Sequence, residues 1–238
     1  MRERPGSGER PETPLADDAV GGAQMAFPFP TPPPCYDRAA FLIAPSNETA
    51  WRAAEAWLAS DEPNLIICGP AGSGKTHLAH IIAEKNGVFV DWRSGGGFNP
   101  DIEIVVLDEL PADDPRLFLS VLADLNGAGH RVVLAGEGNP GSWAQELQDL
   151  RTRLEAMPRA YLHEPDEALL RAVMTKAFGD RQISVSSGVI NYAAPRLLRK
   201  FAHIHAFVAA LDEAAARRGQ KISIPMARET IAAMSAVN

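Results

Sequence analysis

The most specific chemical signature in the sequence is a short glycine-rich segment, residues 69–76, which fits the pattern GxxxxGK[ST] at every fixed position. Glycines let successive backbone N–H groups turn inward around phosphate oxygens, and a lysine neutralises charge on the β- and γ-phosphates. A threonine hydroxyl ligates Mg²⁺, and the start of a following helix adds its positive dipole end. The segment therefore predicts a phosphate-binding site with Mg²⁺, formed by Gly69, Pro70, Ala71, Gly72, Ser73, Gly74, Lys75 and Thr76.

Two adjacent carboxylates follow an apolar run at residues 104–107. An apolar run of this kind is typical of a buried parallel strand, and ligands of open α/β sheets bind at the carboxyl ends of such strands. We therefore expect Asp108 to hold Mg²⁺ through its water shell and Glu109 to polarise an attacking water. The alternative is an acidic pair that only opens a loop.

Three further side chains are candidates for the same chemistry. Glu137 ends the next apolar run, where it would contact a γ-phosphate or the water, or would simply be a solvated loop acid. Arg151 and Arg153 lie in the segment Leu-Arg-Thr-Arg-Leu at the end of a predicted helix. An exposed arginine there can reach the γ-phosphate of a neighbouring subunit, whereas the usual alternative is a surface ion pair.

Short apolar runs alternate with amphipathic segments over the part of the chain that holds these residues. This alternation predicts an α/β fold with a parallel sheet and helices on both faces. The expected strands are 64–68, 88–91, 102–107, 131–135 and 160–163, and the expected helices between them are 46–60, 75–86, 115–126 and 142–154.

After about residue 165 the pattern is purely helical, with helices expected at 166–178, 187–194, 196–218 and 225–234. Pro225 fits the first turn of the last of these helices. We therefore predict a flexible tail at 1–34, an α/β nucleotide-binding domain at 35–165 and a small all-helical domain at 166–238. The tail contains eight of the 19 prolines, a composition that cannot bury enough apolar surface to order itself.

Composition and charge exclude several classes of protein. Of the 238 residues, 46% are hydrophobic, which is typical of a globular chain. The formal net charge of −7 argues against a strongly basic nucleic-acid-binding protein, although a local basic patch is still compatible with it. The N-terminus is charged where a signal peptide is apolar, and no run is long enough to span a membrane. Two cysteines without a metal-binding spacing favour a reducing, cytoplasmic location.

Taken together, the glycine-rich segment, the Asp-Glu strand, the Leu-Arg-Thr-Arg-Leu segment and the trailing helices resemble the AAA+ ATPases of the DnaA group. Ser46 and Asn47 resemble that group's nucleotide-pocket segment. The resemblance covers about residues 36–232 and implies an AAA+ domain with a helical lid that binds ATP or ADP with Mg²⁺. It also implies that Arg153 is the arginine finger.

Within that group, the sequence is most similar to the Hda type of regulator, which inactivates DnaA. Only ten residues separate Asp91 from Ile102, which leaves no room for the helices that grip single strands, and no C-terminal helix-turn-helix domain is expected. Gln24, Phe27 and Phe29 resemble a hexapeptide that binds the sliding clamp. The resemblance implies that DnaA and the sliding clamp are partners, that DNA is contacted only indirectly, and that no membrane is involved. It leaves open whether the chain associates with itself.

The chain departs from the family at one position. Counting back from Ile222, the lid position of the family's sensor-2 arginine falls on Ala202, with Arg199 one turn earlier as a possible substitute. That departure argues against efficient ATP hydrolysis by the chain itself, while the Asp108–Glu109 pair argues for some turnover. Two alternatives remain open: a helicase loader or initiator-like ATPase acting on single-stranded DNA, and a non-enzymatic clamp adaptor.

Overall fold

The computed structural model describes residues 36–91, 93, 99–110, 113–144 and 146–235, which form one compact unit. The tail at 1–34, with its predicted clamp-binding residues Gln24, Phe27 and Phe29, lies outside the described residues.

Five parallel strands form the sheet, in the spatial order β2-β3-β4-β1-β5. Their bounds are β1 Asn64–Gly69, β2 Gly87–Phe89, β3 Ile104–Leu110, β4 Arg131–Glu137 and β5 Arg159–Tyr161. The three central strands β1, β3 and β4 are almost wholly buried, as their unbroken apolar sequences predict. The predicted α/β fold with a parallel sheet is therefore confirmed, and all five strands end at one edge.

Helices cover both faces of this sheet. Their bounds are α1 Glu48–Leu58, α2 Lys75–Ala83, α3 Pro115–Gly127 and α4 Gln148–Ala156. Because successive side chains of a strand point to opposite faces, Leu65 and Ile67 pack with α1 and α2, whereas Ile66 packs with α3 and α4. Helix α3 begins with a capped proline turn, since the Asp114 carboxylate accepts hydrogen bonds from the N–H groups of Arg116 and Leu117.

After β5 the described chain is helical, with α5 Glu167–Asp180, α6 Ser187–Ala193, α7 Phe201–Arg218 and α8 Ile224–Ser235. These four helices share an apolar cluster of their own, centred on Met174, Phe178, Ile204, Phe207 and Leu211. Pro225 lies in the first turn of α8, as predicted. The domain boundary predicted between residues 165 and 166 stays a prediction, and we use the word lid for residues 166–235.

Two helices begin later than the sequence predicts. The predicted start of α7 at 196 is wrong because the backbone at Leu197 and Lys200 is extended, and the helix begins only at Phe201. The predicted start of α4 at 142 is also wrong: residues Pro140–Ser142 form a short 3₁₀ turn, and α4 begins at Gln148. In both segments a proline sits in the 3₁₀ turn, which ends before the α-helix begins.

The segment before α1 is held by hydrogen bonds of its own and is tied to the start of α5. Asn47 does not cap α1 through its side chain; its amide instead accepts a hydrogen bond from Ala44 N and donates one to Leu42 O. Asp166, the N-cap of α5, accepts a hydrogen bond from Leu169 N (2.8 Å) and another from Ser46 N (3.2 Å). One carboxylate therefore joins the start of the lid to the segment that leads into α1.

None of the helices in the described ranges is both long and apolar enough to cross a membrane.

The Asp166 joint predicts a pH-dependent contribution to stability. Burial raises the pKa of Asp166, but hydrogen bonds from Leu169, Ser46 and Ala168 outweigh it and hold the pKa below its usual 3.8. A carboxylate with a lowered pKa stabilises the fold above its unfolded-state pKa, and this stabilisation is lost as the pH falls through the folded-state value. We expect Asp166→Ala to lower the free energy of unfolding at pH 7 by about 1 kcal/mol, measured in urea.

The control is Ser186→Ala, because Ser186 is the N-cap of α6 but makes no capping hydrogen bond through its side chain. We expect a much smaller loss from this control. The difference between Asp166→Ala and the parent should shrink below pH 3.8. A cost at Asp166 that does not change with pH would contradict the role of its charge.

Candidate nucleotide-binding site

The glycine-rich segment connects the carboxyl end of β1 to the start of α2. Gly74 is the N-cap of α2 and has left-handed backbone angles (φ 99°), which an L side chain rarely adopts. Gly69 passes so close to β5's exit that a Cβ there would lie 2.2 Å from the backbone oxygen of Leu162. The strand–loop–helix context that the sequence predicts for residues 69–76 is therefore present.

The ammonium group of Lys75 is held inside this loop. Its Nζ donates hydrogen bonds to the backbone oxygens of Gly69 (3.2 Å) and Pro70 (2.9 Å), and the residue is only 9% exposed. Burial lowers the pKa of Lys75, and the negative charges of Glu137 and Asp108 oppose that shift. The lysine is thus an enclosed cation whose present partners are neutral carbonyl groups, an arrangement suited to an entering phosphate.

Thr76, the residue after Lys75, contacts Asp108. Thr76 Oγ1 donates a hydrogen bond of 2.8 Å to Asp108 Oδ2, so the first turn of α2 and the end of β3 are in direct contact. Mg²⁺ prefers a few protein oxygens together with phosphate oxygens and water, and a hydroxyl beside a carboxylate fits that preference. Ser73 Oγ is buried in the loop near Gly69 and has no hydrogen-bond partner within the described residues. A loop with an unpaired hydroxyl, an enclosed lysine and this oxygen pair fits a nucleoside polyphosphate with Mg²⁺.

The backbone at Glu109 is strained. Its φ is 63°, a left-handed conformation that costs a non-glycine residue roughly 1–2 kcal/mol. The register of β3 on β4 shifts between Leu107 and Leu110, and Glu109 lies within this bulge, with its N–H donating to Asp108 Oδ1 at 2.8 Å. The bulge turns Glu109 out of the ladder to an exposed position at the carboxyl edge of the sheet.

Glu137 reaches the same edge from β4. Its backbone is paired in register with Gly69, and its charge acts on Lys75. Its side chain is exposed. The structure therefore brings Glu137 to the phosphate loop, while the choice between a contact to phosphate and a solvated acid stays a prediction.

The lid lies directly over the phosphate loop. A Cβ on Gly72 would lie 3.0 Å from Cβ of Lys200, and one on Gly74 would lie 3.3 Å from the ring of Phe201. Lys200 is the N-cap of α7, so this helix begins at the loop. The sequence did not predict that Lys200 lies at the phosphate loop. The sensor-2 position of the lid was assigned to Ala202, which is the second residue of α7. The signal available was the basic pair Arg199 and Lys200 just before a long helix.

Arg153 lies far from this loop. It lines a cavity of about 260 Å³ together with Pro63 and Asn64, which mark the amino end of β1, and with Pro158 before β5. Strand β1 separates that end from Gly69 by about 17 Å. Arg153 is exposed and pairs with Asp149 (Nε to Oδ1, 3.5 Å), and Arg151 pairs with Glu155. The structure thus places Arg153, with Arg151 on the same helix, at the opposite end of β1 from the phosphate loop.

Comparison with known proteins shows the fold. No protein-family model matches the sequence, and no curated protein matches it significantly. Among solved structures, domain III of the Thermotoga maritima initiator DnaA is similar with a TM-score of 0.70 and 19% identity, covering 83% of this chain and 96% of that one. DnaA bound to AMPPCP and single-stranded DNA is similar at 0.62 and 16%, covering 77% and 68%.

The Thermotoga maritima RuvB branch migration motor is also similar, at 0.62 and 16%, covering 78% of this chain and 67% of that one. The chain therefore has the fold of the AAA+ domains of DnaA and RuvB.

The strain at Glu109 predicts an inverted order of stability. At an ordinary position alanine is more stable than glycine, but at φ 63° we expect Glu109→Gly to be more stable than Glu109→Ala by roughly 1 kcal/mol. Chemical unfolding of the two variants measures this difference directly. Asp113→Gly and Asp113→Ala provide the control pair, because Asp113 is exposed and outside the positive-φ positions. If Glu109→Ala were the more stable variant, the left-handed backbone conformation at Glu109 would be contradicted.

Proposed function

We propose that this chain is an Hda-type regulator of replication initiation. It binds ATP or ADP with Mg²⁺ at residues 69–76 and Asp108, and it presents Arg153 to ATP bound by DnaA. That arginine stimulates hydrolysis by DnaA and so inactivates the initiator. The N-terminal tail binds the DNA-loaded sliding clamp through Gln24, Phe27 and Phe29.

The observation that carries this proposal is the position of Arg153. The side chain lies at the amino ends of β1 and β5, whereas the phosphate loop lies at the carboxyl end of β1, about 17 Å away. An arginine at that distance cannot stabilise charge on a phosphate in its own loop. Its exposure and its place on α4 suit a nucleotide that is held by another molecule.

The chemistry that Arg153 supplies is charge stabilisation. A guanidinium group aimed at a transferring γ-phosphoryl group offers two parallel N–H donors and a permanent positive charge. An arginine provided in trans typically raises the rate of hydrolysis by about 10³–10⁵. A protein that contributes one arginine and no nucleophile is a sufficient activator when its partner already positions the water.

The nucleotide held by this chain has a mainly structural role in the proposal. Lys200 and Phe201 lie on Gly72 and Gly74, so a ligand in the loop and the position of the lid affect each other. Bound Mg²⁺ would neutralise phosphate charge beside Thr76 and Asp108. Lys75 then binds phosphate in place of the two carbonyl oxygens, and Glu109 orients water if the chain hydrolyses its own nucleotide slowly.

The first prediction concerns Arg153. In a mixture of DnaA loaded with labelled ATP, DNA-loaded clamp, ADP and this protein, we expect Arg153→Ala to abolish stimulated hydrolysis, a loss of about 10³-fold or more. Nucleotide binding by the variant itself should be unchanged, because Arg153 is remote from the phosphate loop.

Arg151→Ala is the matched control, since Arg151 is on the same helix, is similarly exposed and pairs with Glu155 as Arg153 pairs with Asp149. We expect this control to retain stimulation. Equal stimulation by Arg153→Ala would remove Arg153 from the mechanism. Hydrolysis by this chain alone, increased by single-stranded DNA and independent of DnaA, would favour the loader or initiator-like alternative.

The second prediction concerns the tail. Changing Gln24, Phe27 and Phe29 together to alanine removes one polar anchor and two large apolar anchors, so we expect clamp binding to be lost. Surface plasmon resonance with immobilised clamp measures it. Changing Pro5, Glu9 and Pro11 to alanine in the same tail is the control, and unchanged binding after the triple substitution at 24, 27 and 29 would show that the hexapeptide is a coincidence.

A further inference from the structure

A group of basic side chains in the lid stands apart from the other basic residues of this acidic chain. Arg196, Arg199, Lys200 and Arg228, here called the basic strip, are all exposed. No carboxylate among the described residues forms an ion pair with any of the four. Most other arginines that the structure describes do have such a partner: Arg52, Arg93, Arg131, Arg151, Arg153, Arg171, Arg181, Arg217 and Arg218.

Three of the strip residues, Arg196, Arg199 and Lys200, lie in a stretch without opposing charge: between Asp180 and Asp212 the sequence contains no acidic residue, although the whole chain has a net charge of −7. Arg228 is followed by Glu229, which forms an ion pair with Arg218. Unpaired, exposed cations on a negatively charged protein produce a local positive potential that attracts anions. The strip is thus a separate electrostatic feature from the phosphate loop, which it approaches only through Lys200.

An aromatic ring fixes two of these side chains. The guanidinium carbon of Arg196 lies 4.1 Å from the centre of the Tyr192 ring, and that of Arg228 lies 5.9 Å from it. Arg196 Nη1 also donates a hydrogen bond of 2.8 Å to Tyr192 O, and Arg228 Nε donates one of 3.4 Å to the Tyr192 hydroxyl. Stacking and hydrogen bonding hold both guanidinium groups in place before any partner arrives, which lowers the entropy that binding costs.

The dimensions of the strip suit an extended anion. Arg196 and Lys200 are four residues apart, so they span at most about 14 Å even though the backbone between them bends. Leu198, between them, is 53% exposed, the highest exposure among the large hydrophobic side chains that the structure describes. A row of forked cations beside an exposed apolar side chain matches a nucleic-acid strand, which presents regularly spaced phosphates and apolar sugar and base faces.

We propose that the basic strip binds the phosphodiester backbone of nucleic acid. The contact does not involve Arg153, it adjoins the phosphate loop only at Lys200, and it gives the lid a role of its own. Because the contact is to phosphates, it has no sequence preference and weakens as salt increases.

The test is fluorescence anisotropy with the full chain and labelled DNA of about 20 nucleotides, as a single strand and as a duplex, between roughly 50 and 200 mM salt. We expect the logarithm of the binding constant to fall with the logarithm of salt concentration with a slope of about −3 for the single strand and about −3.6 for the duplex, as four phosphate contacts give. In the double variant Arg196→Gln, Arg228→Gln we expect a slope smaller by about 2 and binding weaker by about tenfold at low salt.

The double variant Arg217→Gln, Arg218→Gln is the matched control. It removes the same charge from the same part of the chain, but from arginines that pair with Glu213 and Glu229. We expect its salt slope to match that of the parent. If the first double variant does not fold, Arg199→Gln replaces it, because Arg199 is exposed and pairs with no carboxylate in the part of the chain that the structure describes, and its slope should fall by about 1.

The two forms of DNA distinguish the sources of the phosphate backbone. Tighter binding of the single strand would indicate that bases also contact Tyr192 or Leu198. Equal or tighter binding of the duplex would indicate that the strip contacts only the phosphate backbone. Equal binding by the two double variants, or no binding of either DNA at 50 mM salt, would overturn the proposal. Binding of polyglutamate, but not of DNA, that is lost in the first double variant would assign the strip to an acidic protein instead.

Discussion

The hydrogen bond between Thr76 and Asp108 is the contact on which the rest of the site depends. It joins the first turn of α2 to the end of β3 through two residues that are 32 positions apart in the sequence. With β1 and β3 held on either side of β4, this bond fixes the helix start relative to the sheet edge. Lys75, one residue earlier, donates its hydrogen bonds back into the loop, and the β3 bulge directs Glu109, one residue after Asp108, outward.

The parallel sheet also gives the molecule two chemically different ends. The carboxyl ends of β1, β3 and β4 gather the lysine, the threonine and three carboxylates around one loop, with the start of α7 above it. The amino ends gather an exposed arginine beside a cavity of about 260 Å³. A right-handed α/β connection returns the chain to the opposite edge after each strand, so a residue on the last turns of α4 is necessarily remote from the loop. Separation of phosphate loop and arginine therefore follows from the topology.

Much of this arrangement could be predicted from the sequence. The strand–loop–helix at 69–76 is fixed by glycine positions and by apolar runs, which are local signals, and the five strands were predicted within a few residues. The start of α7 was not predicted correctly. The helical spacing of apolar residues continues through Pro195 and the residues after it, although the backbone there is not α-helical. The left-handed Glu109 was also missed, since nothing in Leu-Asp-Glu-Leu indicates a bulge; only the pairing of β3 with Gly136 on β4 creates it. Contacts of Lys200 with Gly72 depend on how the lid packs, which no local pattern encodes.

The ion pair between Arg153 and Asp149 has a consequence for any partner that this arginine meets. At rest the guanidinium group already faces a carboxylate one helical turn away, at 3.5 Å, on an open surface where such a pair contributes only about 0–1 kcal/mol. In the proposed function, transfer of this guanidinium group from Asp149 to a phosphate would exchange one oxyanion for another, so breaking the ion pair would cost little free energy.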